Sequence, residues 1–500
     1  MTCDTTTRRI DRFYGYSKAL NYMHIPISFS DHCMSPGILV NGNSQAKWGP
    51  GAWKLNSNLI NDSNIRIVDN LWKTFQGLDR KQGDILTWWD KMKERIKRFY
   101  TVKGIMNSKA TKYDIEKKTT EIQNIMRNFN NEDLENFERY RILKQEIHEY
   151  EKMKVNQFRI QHKIEKINEE MEIPDKSFFN KHLDTKQKSQ MTMIKSDDDV
   201  LIKDPNAILN RIHEYYSNIW NDNVEVTNRN KEDYLESIEI INHNNFDEDG
   251  NDDRLDHIIT KVELNRAQKS QVKKEKSPGP DGLTYEFYDN HWDTVNDDLL
   301  TVLNTAYVEE RLPDSMYESY IKLIPKQGDL TNLKNWRPIA LLNNDYKILA
   351  KVIYNKIINF FNNRTSPNQK AVFPKRNIMD IHFNTSSVIS YIKQKKLEAA
   401  ILKIDLEKAF DNVNHDFMFK VLKKFELPDS LIKWIEIIYK KPTCQILVNG
   451  AFTSIIEILK GVRQGCPLSM LLFGLIIDIL IKKVTANCQI KGIPFGKMTS

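Results

Sequence analysis

From Ile105 to Ile173 the chain contains neither glycine nor proline. A stretch with no tight-turn residue and no helix breaker is committed to long helices. Apolar residues recur at Tyr140, Leu143, Ile147 and Tyr150, then at Ile160, Ile164, Ile167 and Met171, the three- and four-residue spacing of a helical face. Lys154 interrupts that stripe, which favours a helical linker or hairpin packed on its neighbours over one continuous coiled coil.

Around this stretch, 500 residues at 40% hydrophobic and 28% charged content leave room for several domains. An excess of 74 Lys+Arg over 67 Asp+Glu permits nucleic-acid binding without requiring it. The five cysteines, Cys3, Cys33, Cys444, Cys466 and Cys488, form no C-x-x-C pair, which points to a reducing compartment, cytoplasm or nucleus, and to no structural metal. Met1–Thr7 has no apolar core of signal-peptide length. The run Met470–Leu480 is interrupted by Asp478 and followed by Lys482 and Lys483, so it reads as a buried helix and no membrane partner is expected.

Four segments follow from local texture. Residues 1–60 are rich in Gly, Ser and Asn with short strand-like runs; residues 61–195 read as a helical basic linker; residues 196–263 form a segment ending in an acidic linker; and residues 264–500 alternate helix and strand patterns. Between Arg80 and Lys109 nine Lys/Arg face three Asp/Glu, with Trp88, Trp89, Phe99 and Tyr100 interleaved. The lysines and rings either meet phosphates and bases, or belong to an amphipathic helix with aromatic core and solvated charge. Asn245, Asp247, Asp249, Gly250 and Asp256 approach calcium-loop spacing, but Asp stands where the bidentate Glu is needed, so a solvated acidic linker is expected. Cys444–Val448, Asn449-Gly450 and Ala451–Ile458 spell a hairpin on a type I′ turn.

Chemistry concentrates after Ala399. Ile401, Lys403 and Asp405 share one strand face and Leu402 and Ile404 the other, so Asp405 is expected to end a buried strand. A carboxylate there, with the main-chain carbonyl of Leu406, suits a hard divalent ion. Alone, Asp405 and Phe410 could equally be a helix cap and a core ring.

Taken in order, Ser277–Gly282, Leu323–Lys326, Asn335–Ile339, Asp405–Asp411 and Gly461–Phe473 resemble successive blocks of LINE-type (non-LTR) retrotransposon reverse transcriptases, over about residues 176–500. The resemblance implies an α+β right-hand polymerase with fingers and palm over 264–500, and an RNA-directed DNA polymerase working with magnesium, deoxynucleoside triphosphates, an RNA template and a DNA primer or target. It implies that Asp405 is the first catalytic carboxylate and, with Leu406, a magnesium ligand. Phe410 matches the ring that excludes a ribonucleotide 2′-hydroxyl, Arg337 matches a triphosphate-gripping position with Lys326 of the preceding block a candidate for similar work, both being otherwise plain surface charges, and Gln464 and Gly465 match the block that positions nucleotide and template. Gln369–Asp380 resembles the block between fingers and palm, with a departure at Phe373–Arg376.

The first sixty residues resemble the end of the apurinic-type endonuclease domain that precedes the polymerase in such proteins, an α/β sandwich. Arg9–Arg12 carries Asp11, which would orient a catalytic histidine, and Ser30–His32 carries Asp31 and that histidine, His32.

The family's two further adjacent aspartates, on an aromatic-Ala-Asp-Asp block, have no match here. The palm is therefore expected to be incomplete, without a thumb, and this chain to polymerise little or not at all. An incomplete sheet exposes an edge, which predicts poor solubility. The alternative is a non-catalytic nucleic-acid-binding remnant of a decayed element. A maturase or telomerase relative would share the palm, but the endonuclease-like start argues against it.

Overall fold

The glycine- and proline-free stretch is helical wherever it is described. The computed structural model describes residues 25–26, 33–34, 48–79, 83–127, 134–162, 190–221, 232, 234–236, 238–240, 256–270 and 276–493. Asp11, Asp31, His32 and nearly all of the acidic stretch 242–256 lie outside the described residues.

The chain divides into two compact units, residues 1–46 with 105–184, and residues 47–104 with 185–500. In the first, β1 (Ile25–Pro26) pairs antiparallel with β2 (Cys33–Met34). The later part of α2 (Ile85–Arg127) runs antiparallel to α3 (Leu134–His162), since Lys118 meets Glu146 at 3.0 Å while Glu121 meets Arg139 at 2.7 Å. Among the described residues, Leu143 and Ile122 are buried on the two helices. Of the two expectations for this segment, the hairpin is the one observed.

The second unit contains α1 (Asp62–Asp79), the start of α2, the small ladder of β3 (Ile194–Lys195) with β4 (Leu201–Ile202), α4 (Pro205–Asn221), α5 (Lys261–Ser270), α6 (Tyr285–Asn290), α7 (Trp292–Val308) and α8 (Asp314–Tyr317). Beyond them come β5 (Glu318–Pro325), β6 (Trp336–Leu342), α9 (Asn344–Asn362), α10 (Ile378–Lys395), α11 (His415–Lys424), α12 (Asp429–Ile438), β7 (Thr443–Val448), β8 (Ala451–Phe452), β9 (Ile456–Glu457) and α13 (Ser469–Ala486). Residues 61–195, expected to be one linker, are thus divided between the units. Residues 47–104 share a unit with the alternating region.

One five-stranded sheet organises this unit, in the order β6-β5-β7-β8 with β9 also on β7. β5 pairs antiparallel with β6, Ile321 opposite Ala340, and parallel with β7, Ile321 opposite Ile446. Burial alternates along both β5 and β6, as a half-covered sheet requires. The expected hairpin is present: Asn449 and Gly450 both have positive φ, 49° and 91°, the type I′ signature.

The aromatics of α1 and α2 bear on the ring part of the choice left open for residues 80–109. Trp72, Trp88, Trp89 and Tyr100 are buried, and Trp72 meets Trp88 and Trp89 edge to face at 5.9 and 5.6 Å. These rings are core and cannot stack on bases. Even Lys93 is buried among them, its ammonium 2.7 Å from Asp345 and 3.3 Å from Asp281, while Trp89 Nε1 donates to Asp345 at 2.9 Å.

The strand expected to end at Asp405 does not form. Residues 397–406 carry no regular structure, and Ile401, Leu402 and Ile404 are 62%, 83% and 62% exposed. A strand exists only as part of a ladder, and among the described residues this segment pairs with none. Neighbouring α10 likewise has no buried residue. By contrast α13 is the buried helix expected; its Asp478 accepts from Ser366 N at 2.9 Å and lies 3.5 Å from Lys482. No described helix is long and apolar enough to cross a membrane.

Candidate active site

Where β5 and β6 separate, the turn between them carries Lys326 and Lys334, and β6 carries Arg337. Lys326 N donates to Asn335 O at 2.8 Å, which fixes the turn. Lys326 and Arg337 are both exposed. These three cations form one wall of a cleft of about 830 Å³. That size suits a nucleotide-like ligand.

Residues 405–411 contribute another part of the lining. Asp405 and Leu406 are exposed on it, and Lys408 adds a fourth cation. Phe410 is stacked on Phe473 of α13, centroids 4.8 Å apart and planes inclined by 22°. A ring clamped in this way makes a rigid edge to the cleft.

Backbone bonds draw the loop from Gly461 into the same space. Val462 N donates to Phe410 O at 2.8 Å, Gly461 N to Val413 O at 2.7 Å, and Ala340 N to Gln464 O at 2.7 Å. Gly465 has φ +126°, and a Cβ there would lie 2.6 Å from Ala340 O. Only glycine allows that approach to β6. Lys326, Arg337, Asp405, Leu406, Phe410, Gln464 and Gly465, all picked out in the sequence, therefore line one cleft.

Other residues completing the cleft were not picked out. Tyr215, Tyr216 and Ile219 come from α4, well upstream, and Lys408 lies 4.8 Å from the Tyr215 ring centre. In sequence, α4 shows a core stripe of Ile208, Ile212, Tyr216 and Trp220. Its only other signal is that Tyr215 and Ile219 extend the apolar face beyond that stripe. Asp411, which only ends its sequence block, is buried and accepts from Trp220 Nε1 at 3.2 Å. Burial pushes its carboxyl above the usual range; the Trp220 hydrogen bond, then Lys408 and Lys326, pull it back.

The block at Gln369–Asp380 has a structural task. Arg376 donates to the carbonyls of Asn362, Ser366 and Gln369 at 2.5, 2.6 and 2.9 Å, closing the C-terminal end of α9.

Chemically, four cations beside a rigid ring suit a polyanion carrying a flat or puckered organic group. For metal the donor set is thin. Among the described residues no three His, Cys, Asp or Glu side chains gather to hold an ion, and Asp411 is engaged by Trp220. Asp405 and the Leu406 carbonyl alone do not make a complete site.

Residues 324–495 match the family described as reverse transcriptase (RNA-dependent DNA polymerase). Over 495 residues, 95% of this chain, the sequence is 27% identical to the transposon TX1 uncharacterized 149 kDa protein of Xenopus laevis, covering 36% of that protein. It is 25% identical over 217 residues to the retrovirus-related Pol polyprotein from type-1 retrotransposable element R2 of Nasonia vitripennis, covering 43% of this chain and 20% of that one. It is 22% identical over 240 residues to the corresponding polyprotein from type-2 element R2DM of Drosophila melanogaster, 48% of this chain and 22% of that one. The chain thus spans about a third or less of these relatives.

Proposed function

Taking as premise that this chain carries the reverse transcriptase domain of a non-LTR retrotransposon polyprotein, we propose that the cleft binds a deoxynucleoside triphosphate against an RNA template and a DNA primer. The observation that carries the reading is the convergence of Lys326, Arg337, Asp405, Phe410, Gln464 and Gly465 from four separate sequence blocks on one cleft. In this reading Arg337 and Lys326 hold phosphate oxygens, the guanidinium fork being the better matched to them. Phe410, braced by Phe473, fills the space a 2′-hydroxyl would need. Magnesium, if bound, would be held in part by Asp405 and the Leu406 carbonyl, which supply only some of the oxygens it needs. The activity would be exercised in cytoplasm and nucleus. The fingers and palm assignment of 264–500 belongs to the same proposal, as does an endonuclease origin for residues 1–60 on the strength of Asp11, Asp31 and His32.

A second reading, a nucleic-acid-binding chain without catalysis, is favoured by one observation: among the described residues Asp405 belongs to no group of three metal-binding side chains, and Asp411, in the same cleft, is engaged by Trp220. Primer extension on a homopolymeric RNA template with magnesium, comparing the chain with Asp405→Ala, separates the two. Incorporation that Asp405→Ala abolishes supports the polymerase. Salt-sensitive primer–template binding without incorporation supports the second reading. Absence of both sinks each of them.

A further inference from the structure

We propose that Asp411, held by Trp220, fixes which end of the Gln464 side-chain amide faces the cleft, and is thereby a positioning residue for the ligand. This rests on the reading of the cleft as a triphosphate site. Asp411 is 8% exposed; its Oδ1 accepts from Trp220 Nε1 at 3.2 Å, and its Oδ2 faces Gln464 Nε2 at 3.5 Å, a long contact.

The facing of these two side chains is imposed by the backbone. The Gly461–Gly465 loop is bonded to the 410–413 turn on one side and to Ala340 on the other, and a Cβ at Gly461 would lie 2.9 Å from Asp411 O. An ionised carboxylate only accepts hydrogen bonds, so the end of Gln464 that turns to Asp411 must be its NH₂. The carbonyl oxygen is then the end left to meet a donor on the ligand, a sugar hydroxyl or a base amine. Trp220 belongs to α4, outside the matched residues 324–495, and the same helix sets Tyr215, Tyr216 and Ile219 in the cleft wall. Recognition at Gln464 is therefore governed in part by a helix upstream of the matched domain.

The test is a double-mutant cycle on the full chain, reading equilibrium binding of a deoxynucleoside triphosphate in the presence of primer–template at mildly alkaline pH. Asp411→Asn keeps the shape and the acceptor for Trp220 but offers Gln464 an NH₂, which inverts the amide. Affinity is expected to fall about tenfold, the worth of one oriented hydrogen bond. Gln464→Ala should cost about the same, and the double variant no more than Gln464→Ala alone. Trp220→Phe, which keeps the packing and removes only the indole donor, should weaken binding by about threefold and in the same non-additive way. Additive losses, or an unchanged affinity in Asp411→Asn while Gln464→Ala weakens binding, overturn the positioning role and leave the triphosphate reading intact. No triphosphate binding by the unmodified chain, or binding indifferent to Arg337→Ala, overturns that reading and this proposal with it.

Discussion

The ammonium of Lys93 lies 2.7 Å from Asp345 Oδ2, with side chains 4% and 0% exposed, so the start of α2 is tied to the first turn of α9 by an ion pair closed to solvent. Asp281 at 3.3 Å, Asp90 at 4.0 Å and the Ser315 hydroxyl complete the surroundings of the ammonium. Burial alone would push the Lys93 ammonium toward deprotonation, but Asp345, Asp281 and Asp90 reverse that and raise its pKa.

Lys93→Met should therefore be severely destabilising, by about 3–5 kcal/mol, because it strands buried carboxylates without a counter-charge. Urea denaturation measures this; a loss under about 1 kcal/mol would mean the cluster is solvated in solution.

Burial, opposed first by Lys93 and reinforced by Asp345, pushes Asp281 up to about 6. A carboxyl whose folded pKa exceeds its unfolded value takes up a proton on folding. Its contribution is complete below the unfolded pKa and is lost as pH rises through about 6. His291, which burial holds below its ordinary value, acts oppositely in the same region, so the informative quantity is the difference between the unmodified chain and Asp281→Asn. The advantage of Asp281→Asn should grow between pH 4 and 6 in thermal melts. A pH-independent difference contradicts it.

A fragment of residues 185–500 should not fold to the same state. It would leave Asp345 without Lys93 and Trp89, Asp298 without Trp72, whose Nε1 donates at 2.8 Å, and Gly282 without Trp53, against which a Cβ would collide. Aggregation, or loss of a cooperative melt, is the expected result. A stable monomeric fragment would show that residues 47–104 are dispensable.

Ile401, Leu402, Ile404 and Leu406, like Ile378, Met379 and Phe383 of α10, each leave apolar surface exposed. Such surfaces drive association. Replacing Leu402, 83% exposed, with Lys should lower self-association in sedimentation without shifting the melting temperature. An unchanged sedimentation profile would remove this surface as its cause.

Much of this was legible from spacing alone. The hairpin at Asn449-Gly450 followed from local turn chemistry, and the helices between Gly104 and Pro174 from the absence of breakers. The cleft was legible in the order of its blocks, because Lys326, Arg337, Asp405, Phe410 and Gln464 carry their chemistry in residue type. What escaped was tertiary. Lys93 looked like one of nine solvated cations, and nothing local says that Asp281 and Asp345, 188 and 252 positions away, close over it. The alternation at 401–405 led to the expectation of a strand that does not form, because a pattern cannot supply the ladder that makes a strand.

The pairing of β5 with β7 has a consequence for biosynthesis. β5 and β6 leave the ribosome nearly together and can zip as neighbours, but the parallel partner Thr443–Val448 arrives more than a hundred residues later. Until then one edge of β5 is open, and the tryptophans of α1 and α2, translated earlier still, wait with most of their lid unmade. Cells making this protein must shelter a half-built chain for much of its translation, so its yield should depend on chaperone supply and elongation rate more than on the stability of the finished fold.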